Sequence, residues 1–328
     1  MKNLPKQILK NVSQNNMFTL VDIGSMGGIE KEWKQVGDAI KVIGFEPDKR
    51  EFNKLNNSKN HLYLNCVLFS ESVDQNFYVS RQSGKSSIYR PNTEVLKVFP
   101  DIERFDIVEE VSFGAEKVKN LDDVLRDNEI LDADFLKLDT QGSELSILKG
   151  SQKCLNESIL GLKIEVEFLE IYKNQPLFAD VDIFMRSKGF ELIDLRRFFW
   201  KRKEYASFRG KGQIAFADAL YFKNIDKFIV SIESREELYK RAKIIKFVTV
   251  CVIYGIHDYA FSILNKSLEN KLIDEELYRE IVDLIRKHDK KQWNISFKGS
   301  GKLLVKLDKI LRKSYLGWAD SDYTLGNK

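Results

Sequence analysis

The sequence predicts an α/β fold, a mostly parallel sheet with helices on both faces, followed by a helical C-terminal subdomain. Three observations predict it. Residues 18–48 read as strand, glycine turn, helix and second strand, the last stopping on a carboxylate, Glu46. From there to about residue 222, short apolar runs alternate with helical patterns, as a sheet covered on both faces requires. After Asn224 helical periodicity takes over and strand signals cease.

In order, Phe18 to Ile23 is the first strand and Gly24-Ser25-Met26-Gly27-Gly28 its turn. A helix with Trp33 follows, then a strand from Lys41 to Phe45. Asp48 to Asn57 is helical, His61 to Phe69 a third strand, Asp74 to Arg81 a short strand and Ser83 to Tyr89 a loop. Phe105 to Val118 is extended with a turn at Gly114, and Leu121 to Asp127 is a helix. Ala133 to Leu138 is a buried strand that delivers Asp139, and Gly142 to Lys149 opens the next helix. Leu160 to Phe168 is a strand, Phe178 to Lys188 a helix stopped by Gly189, and Phe190 to Leu195 and Gln213 to Phe222 finish the sheet. Arg235 to Tyr254, Tyr259 to Leu268 and Asp274 to Lys287 are three helices, with residues 255–258 as a turn in which His257 is a capping residue. The expected units are 1–224, a cofactor-binding domain, and 225–328, a helical extension whose tail from Gly317 is loose.

Composition narrows the class. With 328 residues, 43% hydrophobic, the chain can bury a large core. Cys66, Cys154 and Cys251 are widely spaced and form no C-x-x-C, which fits a reducing compartment and neither zinc nor a disulfide framework. The three histidines are equally scattered, so no metal site is expected. The polar N-terminus lacks a signal-peptide core, and no apolar run is long enough to span a membrane. The expected location is cytoplasmic, or peripheral at the inner face of the membrane.

The opening unit points to a nucleoside cofactor. Glycines bring backbone N–H groups close to a ligand, and a carboxylate about 20 residues on grips ribose hydroxyls. A dinucleotide site wants G-x-G-x-x-G, but Met26 stands where the second glycine belongs. Asp22, two residues before Gly24, repels phosphate and suits a cation. S-adenosylmethionine has a sulfonium, an ammonium and no phosphate, and is favoured over NAD. The expected cofactor residues are Asp22, Gly24, Ser25, Gly27, Glu46 and Asp139. The plain alternative is a structural strand–helix turn.

In residues 134–150 the strand places Asp139 at the ligand edge, and Ser143 and Glu144 begin a helix. Lys137 points opposite to its strand neighbours and is free to pair with a carboxylate at the sheet end. With no histidine near a motif, the base for a weak oxygen nucleophile must be a carboxylate or a lysine. The candidates are Asp139, Glu144 and Glu167, the last sharing one strand face with Glu165. Helix capping by Glu144 and salt bridging by Glu165 and Glu167 are the structural alternatives.

Two basic segments stand out. Residues 287–313 carry nine Lys/Arg against two Asp, and 302–313 has helical apolar spacing with lysines opposite, fit for an anionic bilayer or for an ordinary surface helix. Arg196 to Lys203 sets five cations around three aromatics, fit for a sugar ring, a glycan phosphate, single-stranded nucleic acid or a plain surface hairpin. No RNA module accompanies it, and no nucleic acid partner is expected.

These motifs resemble those of the FkbM-type class I methyltransferases. The resemblance rests on Val21-Asp-Ile-Gly24, Gly44-Phe-Glu-Pro-Asp48 and Ser86-Ser87, and most on Phe135-Leu-Lys-Leu-Asp-Thr-Gln-Gly-Ser-Glu-Leu-Ser-Ile-Leu-Lys-Gly150. It spans roughly residues 18–222. The family's glutamate before the turn glycine is Gln141 here, which argues against acid–base work at that position. The resemblance implies the seven-stranded Rossmann-like methyltransferase sheet and S-adenosylmethionine-dependent O-methylation of a sugar, glycan or related natural product. It implies Gly24 at the methionine part, Glu46 at the ribose and residues 68–71 at the adenine. Many such relatives sit in pathways for bacterial surface glycans, and the expected acceptor here is a sugar or glycan, free or linked to a lipid or nucleotide. The competing classes are a non-catalytic module of the same fold that binds glycan or membrane, and a NAD-dependent oxidoreductase.

Overall fold

A computed structural model describes residues 3–12, 16–130, 132–208, 210–289, 318–322 and 324–326. Its centre is an eight-stranded sheet: β1 (Phe18–Ile23), β2 (Ile40–Phe45), β3 (His61–Leu64), β4 (Phe135–Leu138), β5 (Gly161–Glu167), β6 (Phe190–Trp200), β7 (Gln213–Lys223) and β8 (Ala319–Ser321). The order across the sheet is β8-β6-β7-β5-β4-β1-β2-β3. Strands β3, β2, β1, β4 and β5 are parallel, and β7 pairs antiparallel with both β5 and β6. This is the class I methyltransferase sheet with one added edge strand. The chain reverses its direction of travel between β1 and β4, and ligands of open α/β sheets bind beyond the strand ends at such a switch.

One face of the sheet is closed by α2 (Leu121–Asp127), α3 (Glu144–Lys149), α4 (Gln152–Glu157) and α5 (Phe178–Ser187), following α1 (Leu4–Leu9) in the chain. Val21, Ile23, Leu136, Leu138, Ile164 and Val166 pack there against Val124, Ile147, Leu155 and Met185. The other face carries α6 (Ile225–Glu233), α7 (Glu237–Ile253), α8 (His257–Glu269) and α9 (Glu275–Asp289). Every residue of α7 from Ala242 to Ile253 is buried. Phe18, Leu20, Phe135, Leu220 and Phe222 share one continuous core with this helical layer and with Leu4, Ile8 and Leu9 of α1. Phe135 stacks on Tyr254 at 5.6 Å between centroids, and Trp33 lies 5.1 Å from Phe18. Two buried lysines of α7 add polar links: Lys243 reaches Asp132 at 2.5 Å and Asp134 at 2.6 Å, and Lys246 reaches Asp134 at 2.8 Å.

That second face changes character along the strands. Side chains alternate, so Phe18, Leu20 and Asp22 share a face, as do Phe135, Lys137 and Asp139, and Phe222, Leu220 and Asp218. The lower half is apolar and lies beneath the helices; the upper half is charged and floors the site.

Several expectations are corrected. The run expected as one strand from His61 to Phe69 is two: β3 ends at Leu64, and Val67–Leu68 pairs instead with Val118–Lys119. The side chain of Asn65, between them, donates to the carbonyls of Glu46 and Pro47 and turns the chain away from the sheet. β6 continues past Leu195 to Trp200, so most of the basic–aromatic cluster is strand. The tail is not wholly loose: β8 pairs with Phe198 to Trp200, and Asp322 binds Arg197 at 2.9 Å. Helices α1 and α6 were not anticipated; α1 starts with Pro5 in its first turn, where a missing N–H costs nothing. The basic segment 302–313 lies outside the described residues. No helix among the described residues is long and apolar enough to cross a membrane.

Candidate active site

A cleft of about 300 Å³ opens beyond the carboxyl ends of β1, β2 and β4. Its first wall is the turn after β1. The N–H groups of Gly24 and Ser25 both donate to the Phe45 carbonyl, at 2.9 and 3.0 Å, which lashes the turn to β2. Gly24 has φ +80°, and a Cβ there would sit 2.0 Å from the Asp139 carbonyl oxygen. Only glycine lets β1 and β4 end this close together.

Glu46 lines the cleft at the end of β2 and is buried. One carboxylate oxygen accepts the Asp48 N–H at 2.9 Å, which leaves the other for a ligand. Burial raises its pKa to about 7. Leu68, Phe77, Ile88 and Ile147 supply an apolar wall next to it. A buried carboxylate beside an apolar slot fits a ribose and its base, so the residues present suit an adenosyl group.

Asp139 lines the cleft at the end of β4. Burial by itself would raise its pKa, but Lys137, Lys85 and the Gln141 amide outweigh burial and hold it below the usual carboxylate range. Glu165 on β5 also lines the cleft and is pushed well up, by burial first and by the Asp139 charge second. The cleft wall carries Glu30, Glu46, Glu51, Asp139 and Glu165 against Lys85 and Lys137. Glu30 and Glu51 are paired with Lys163 and Lys54, at 2.7 and 2.8 Å, which leaves Glu46, Asp139 and Glu165 to face a cationic ligand.

The other expected site residues take different places. Asp22 is buried behind the turn and pairs with Lys137 at 3.1 Å, while Lys137 also donates to the Gly24 carbonyl at 2.5 Å. Burial raises the Asp22 pKa to about 6, with Lys137 pulling against it. Asp22 therefore acts on the cleft through Lys137 and the turn, and does not line it. Ser25 is fully buried, its hydroxyl donating to the Asp22 carbonyl at 2.7 Å. Gly27, at φ +76°, faces open space. Glu144 spends both oxygens on its own turn, accepting from the Thr140 N–H and hydroxyl at 2.6 and 2.9 Å and from the Gly142 N–H at 2.9 Å. Glu167 is buried beyond the cleft lining, and burial with the charges of Glu144 and Glu165 pushes it well up. Of the candidates, then, Gly24, Glu46 and Asp139 meet in the cleft.

Sequence reasoning missed Lys85, whose ammonium donates to the Gln141 side-chain oxygen at 3.1 Å. A single cation in the small polar run Ser83 to Ser87 was the available signal. It also missed the polar row beside Glu165: Lys163 pairs with Glu30 at 2.7 Å and lies 3.7 Å from Asp218, which lies 3.7 Å from Arg196. Among the described residues, no three His, Cys, Asp or Glu side chains are grouped as a metal ion requires.

The family model of the methyltransferase FkbM domain matches residues 22–192. None of the curated proteins matches the chain. Similar solved structures include a precorrin-6y C5,15-methyltransferase from Geobacter metallireducens GS-15, 8% identical, covering 68% of this chain and 87% of its own, with TM-score 0.33. A SAM-dependent methyltransferase from Aquifex aeolicus is 14% identical over 66% of this chain and 89% of its own, with TM-score 0.26. Another from Anabaena variabilis ATCC 29413 is 13% identical over 68% and 86%, with TM-score 0.32. These likenesses are too loose to add to what the sheet order shows.

Proposed function

Because the chain belongs to the FkbM methyltransferase family and is an S-adenosylmethionine-dependent methyltransferase, we propose that it methylates a hydroxyl of a sugar, glycan or related polyhydroxylated product. The observation that supports this reading is the place of Asp139 in the cleft lining, where its carboxylate stays ionised and so can accept a proton, beside a row of alternating donors and acceptors. Glu165 lines the cleft, and next to it on the same sheet face run Lys163, Asp218 and Arg196, an alternation of donors and acceptors that suits a ligand rich in hydroxyls.

Glu46 would hold the ribose hydroxyls, Leu68 and Ile147 the base, and the Gly24 turn the methionine end. Bound there, the cofactor would supply an electrophilic methyl carbon on a sulfonium whose sulfur leaves as a neutral thioether. The chain's residues must hold the acceptor oxygen in line with that carbon. Asp139 takes the hydroxyl proton as the oxygen becomes an ether. We extend the reading to a precursor of a surface polysaccharide as the acceptor.

Calorimetry with S-adenosylmethionine and S-adenosylhomocysteine, with NAD as control, tests the cofactor. Labelled methyl incorporation into a panel of sugars, amines and carboxylates then tests the acceptor. Label on a sugar hydroxyl is expected, and label confined to amines or carboxylates overturns the hydroxyl reading.

A further inference from the structure

Gln141 stands where three parts of the site meet. It follows β4 by three residues in the left-handed region, at φ +59°. Its side chain is buried. Its Nε2 donates to Asp139 Oδ1 at 3.0 Å and to Glu165 Oε1 at 2.5 Å. Its Oε1 accepts from Lys85 Nζ at 3.1 Å and from the Tyr172 hydroxyl at 3.0 Å. An ammonium can only donate, so Lys85 fixes which end of the amide is oxygen. The backbone carbonyl of Gln141 accepts the Ser87 hydroxyl at 2.7 Å, and Tyr172 also reaches the Lys85 carbonyl at 3.0 Å. All four hydrogen-bonding positions of the side-chain amide are thus used.

We propose that Gln141 is a positioning residue: its amide nitrogen yokes the Asp139 and Glu165 carboxyls, and its oxygen anchors the loop that carries Lys85 over the cleft. The yoke decides which of the two carboxyls takes the acceptor's proton. The inference rests on the reading of Asp139 as that proton acceptor.

Physical chemistry explains why an amide serves here. A carboxylate at position 141 would face two other carboxylates with no donor of its own, and one proton would have to be shared among three groups. The amide has two N–H groups for the two acids and cannot titrate. Its Lys85 contact brings a cation near Asp139 that also carries no ion pair with a carboxylate among the described residues. Asp139 is faced by Lys137 on its own strand, Asp22 on β1, Lys163, Glu165 and Glu167 on β5, Tyr172 after β5, Asp218 on β7, Glu144 on α3 and Lys85 on the loop. Of these, Lys137 is committed to Asp22 and Lys163 to Glu30. The link that joins Asp139 directly to a second acid is Gln141.

The test needs no acceptor. The full chain is labelled with ¹³C at aspartate carboxyls, loaded with S-adenosylhomocysteine and titrated by NMR, the Asp139 signal being assigned with an Asp139→Asn variant. Gln141→Met removes both donors and the Lys85 anchor, and the Asp139 midpoint is expected to rise by about one pH unit or more. Gln141→Glu, close to isosteric should the methionine variant fold poorly, is expected to raise it further by adding charge. Lys85→Met is expected to raise it less than Gln141→Met. An Asp139 midpoint unmoved in both Gln141 variants overturns the proposal. Loss of homocysteine-nucleoside binding in the unaltered chain would instead strike the methyltransferase reading itself, so the two failures are told apart.

Discussion

At the lower end of β4, Asp132 and Asp134 face Lys243 and Lys246 of α7, two acids against two lysines, all within 3.4 Å. Asp134 is fully buried and also accepts the Thr19 N–H at 2.8 Å, while Lys243 donates to the Ser158 carbonyl at 2.9 Å. At the upper end, Glu144, Glu165 and Glu167 are buried and Asp139 is partly buried at the cleft edge, yet none forms an ion pair with a lysine or arginine among the described residues. One strand thus carries two acid clusters, one matched and one not. The matched cluster fastens the helical layer to the sheet. The unmatched one is held by amides, hydroxyls and backbone N–H groups; burial pushes its glutamates toward the neutral form, so the charge left for a ligand to answer is that of Asp139. Buried charge by itself does not mark a site; what marks it is the missing counter-ion.

The largest expected effect breaks the matched end. Lys243→Met leaves Asp132 and Asp134 with one lysine between them in a dry site, and should cost about 3–5 kcal/mol of folding stability, read from urea unfolding. Affinity of the folded protein for S-adenosylhomocysteine should change less than about twofold, because pairs this far apart act independently. A large loss of affinity with little loss of stability would erase the distinction between the ends.

Next comes Glu46→Ala. Losing hydrogen bonds to a charged group should weaken S-adenosylhomocysteine binding by roughly ten- to a hundredfold, about 1.5–3 kcal/mol, in calorimetry. Stability should hold or rise, since a buried carboxylate has been removed.

The same residue gives a pH test that sharpens the contrast. The Glu46 pKa is raised from 4.5 to about 7 in the fold. The folded chain therefore binds more protons than the unfolded one between those values, and ionising Glu46 lowers stability as pH rises through that window. Ligand binding runs the other way, because the ionised carboxylate is the better acceptor for ribose hydroxyls. Affinity at pH 6 should be roughly tenfold below that at pH 8, and Glu46→Gln should flatten the difference. Asp132 shows the opposite sign: burial opposes its charge, but Lys243 and Lys246 prevail and lower its pKa.

Much of the upper end was legible because it is local. A glycine turn, an acid after the next strand and an acid after β4 occur at fixed spacings, and Gly24, Glu46 and Asp139 do meet in one cleft. The helical layer was legible from period alone. What escaped depends on partners distant in sequence. Glu144 and Glu165 look alike in the chain, yet one braces its own turn and the other lines the cleft; only tertiary placement separates them. The Lys85–Gln141 contact spans 56 positions and the Lys243–Asp134 contact 109. A sharper reading had one clue to the second: two lysines inside the apolar run from Ala242 to Ile253 require buried acids somewhere. The break at Asn65 escaped because a strand run that changes sheets keeps its apolar pattern.

The smallest effect concerns the far border of the sheet. β8 covers only Phe198 to Trp200, but Trp318 before it packs with Trp200 around the Arg104 guanidinium, and Gly326 after it donates to Asp194 at 2.6 Å. A chain ended before Trp318 would bare the outer backbone groups of β6 beside Phe199 and Trp200. Open strand edges of this kind recruit other strands. Such a shortened protein should fold and still bind nucleoside, yet self-associate in a concentration-dependent way by light scattering, whereas the full chain should not. Residues 318–322 thus form a guard rail along the sheet's border, and an affinity tag or fusion is better kept away from them.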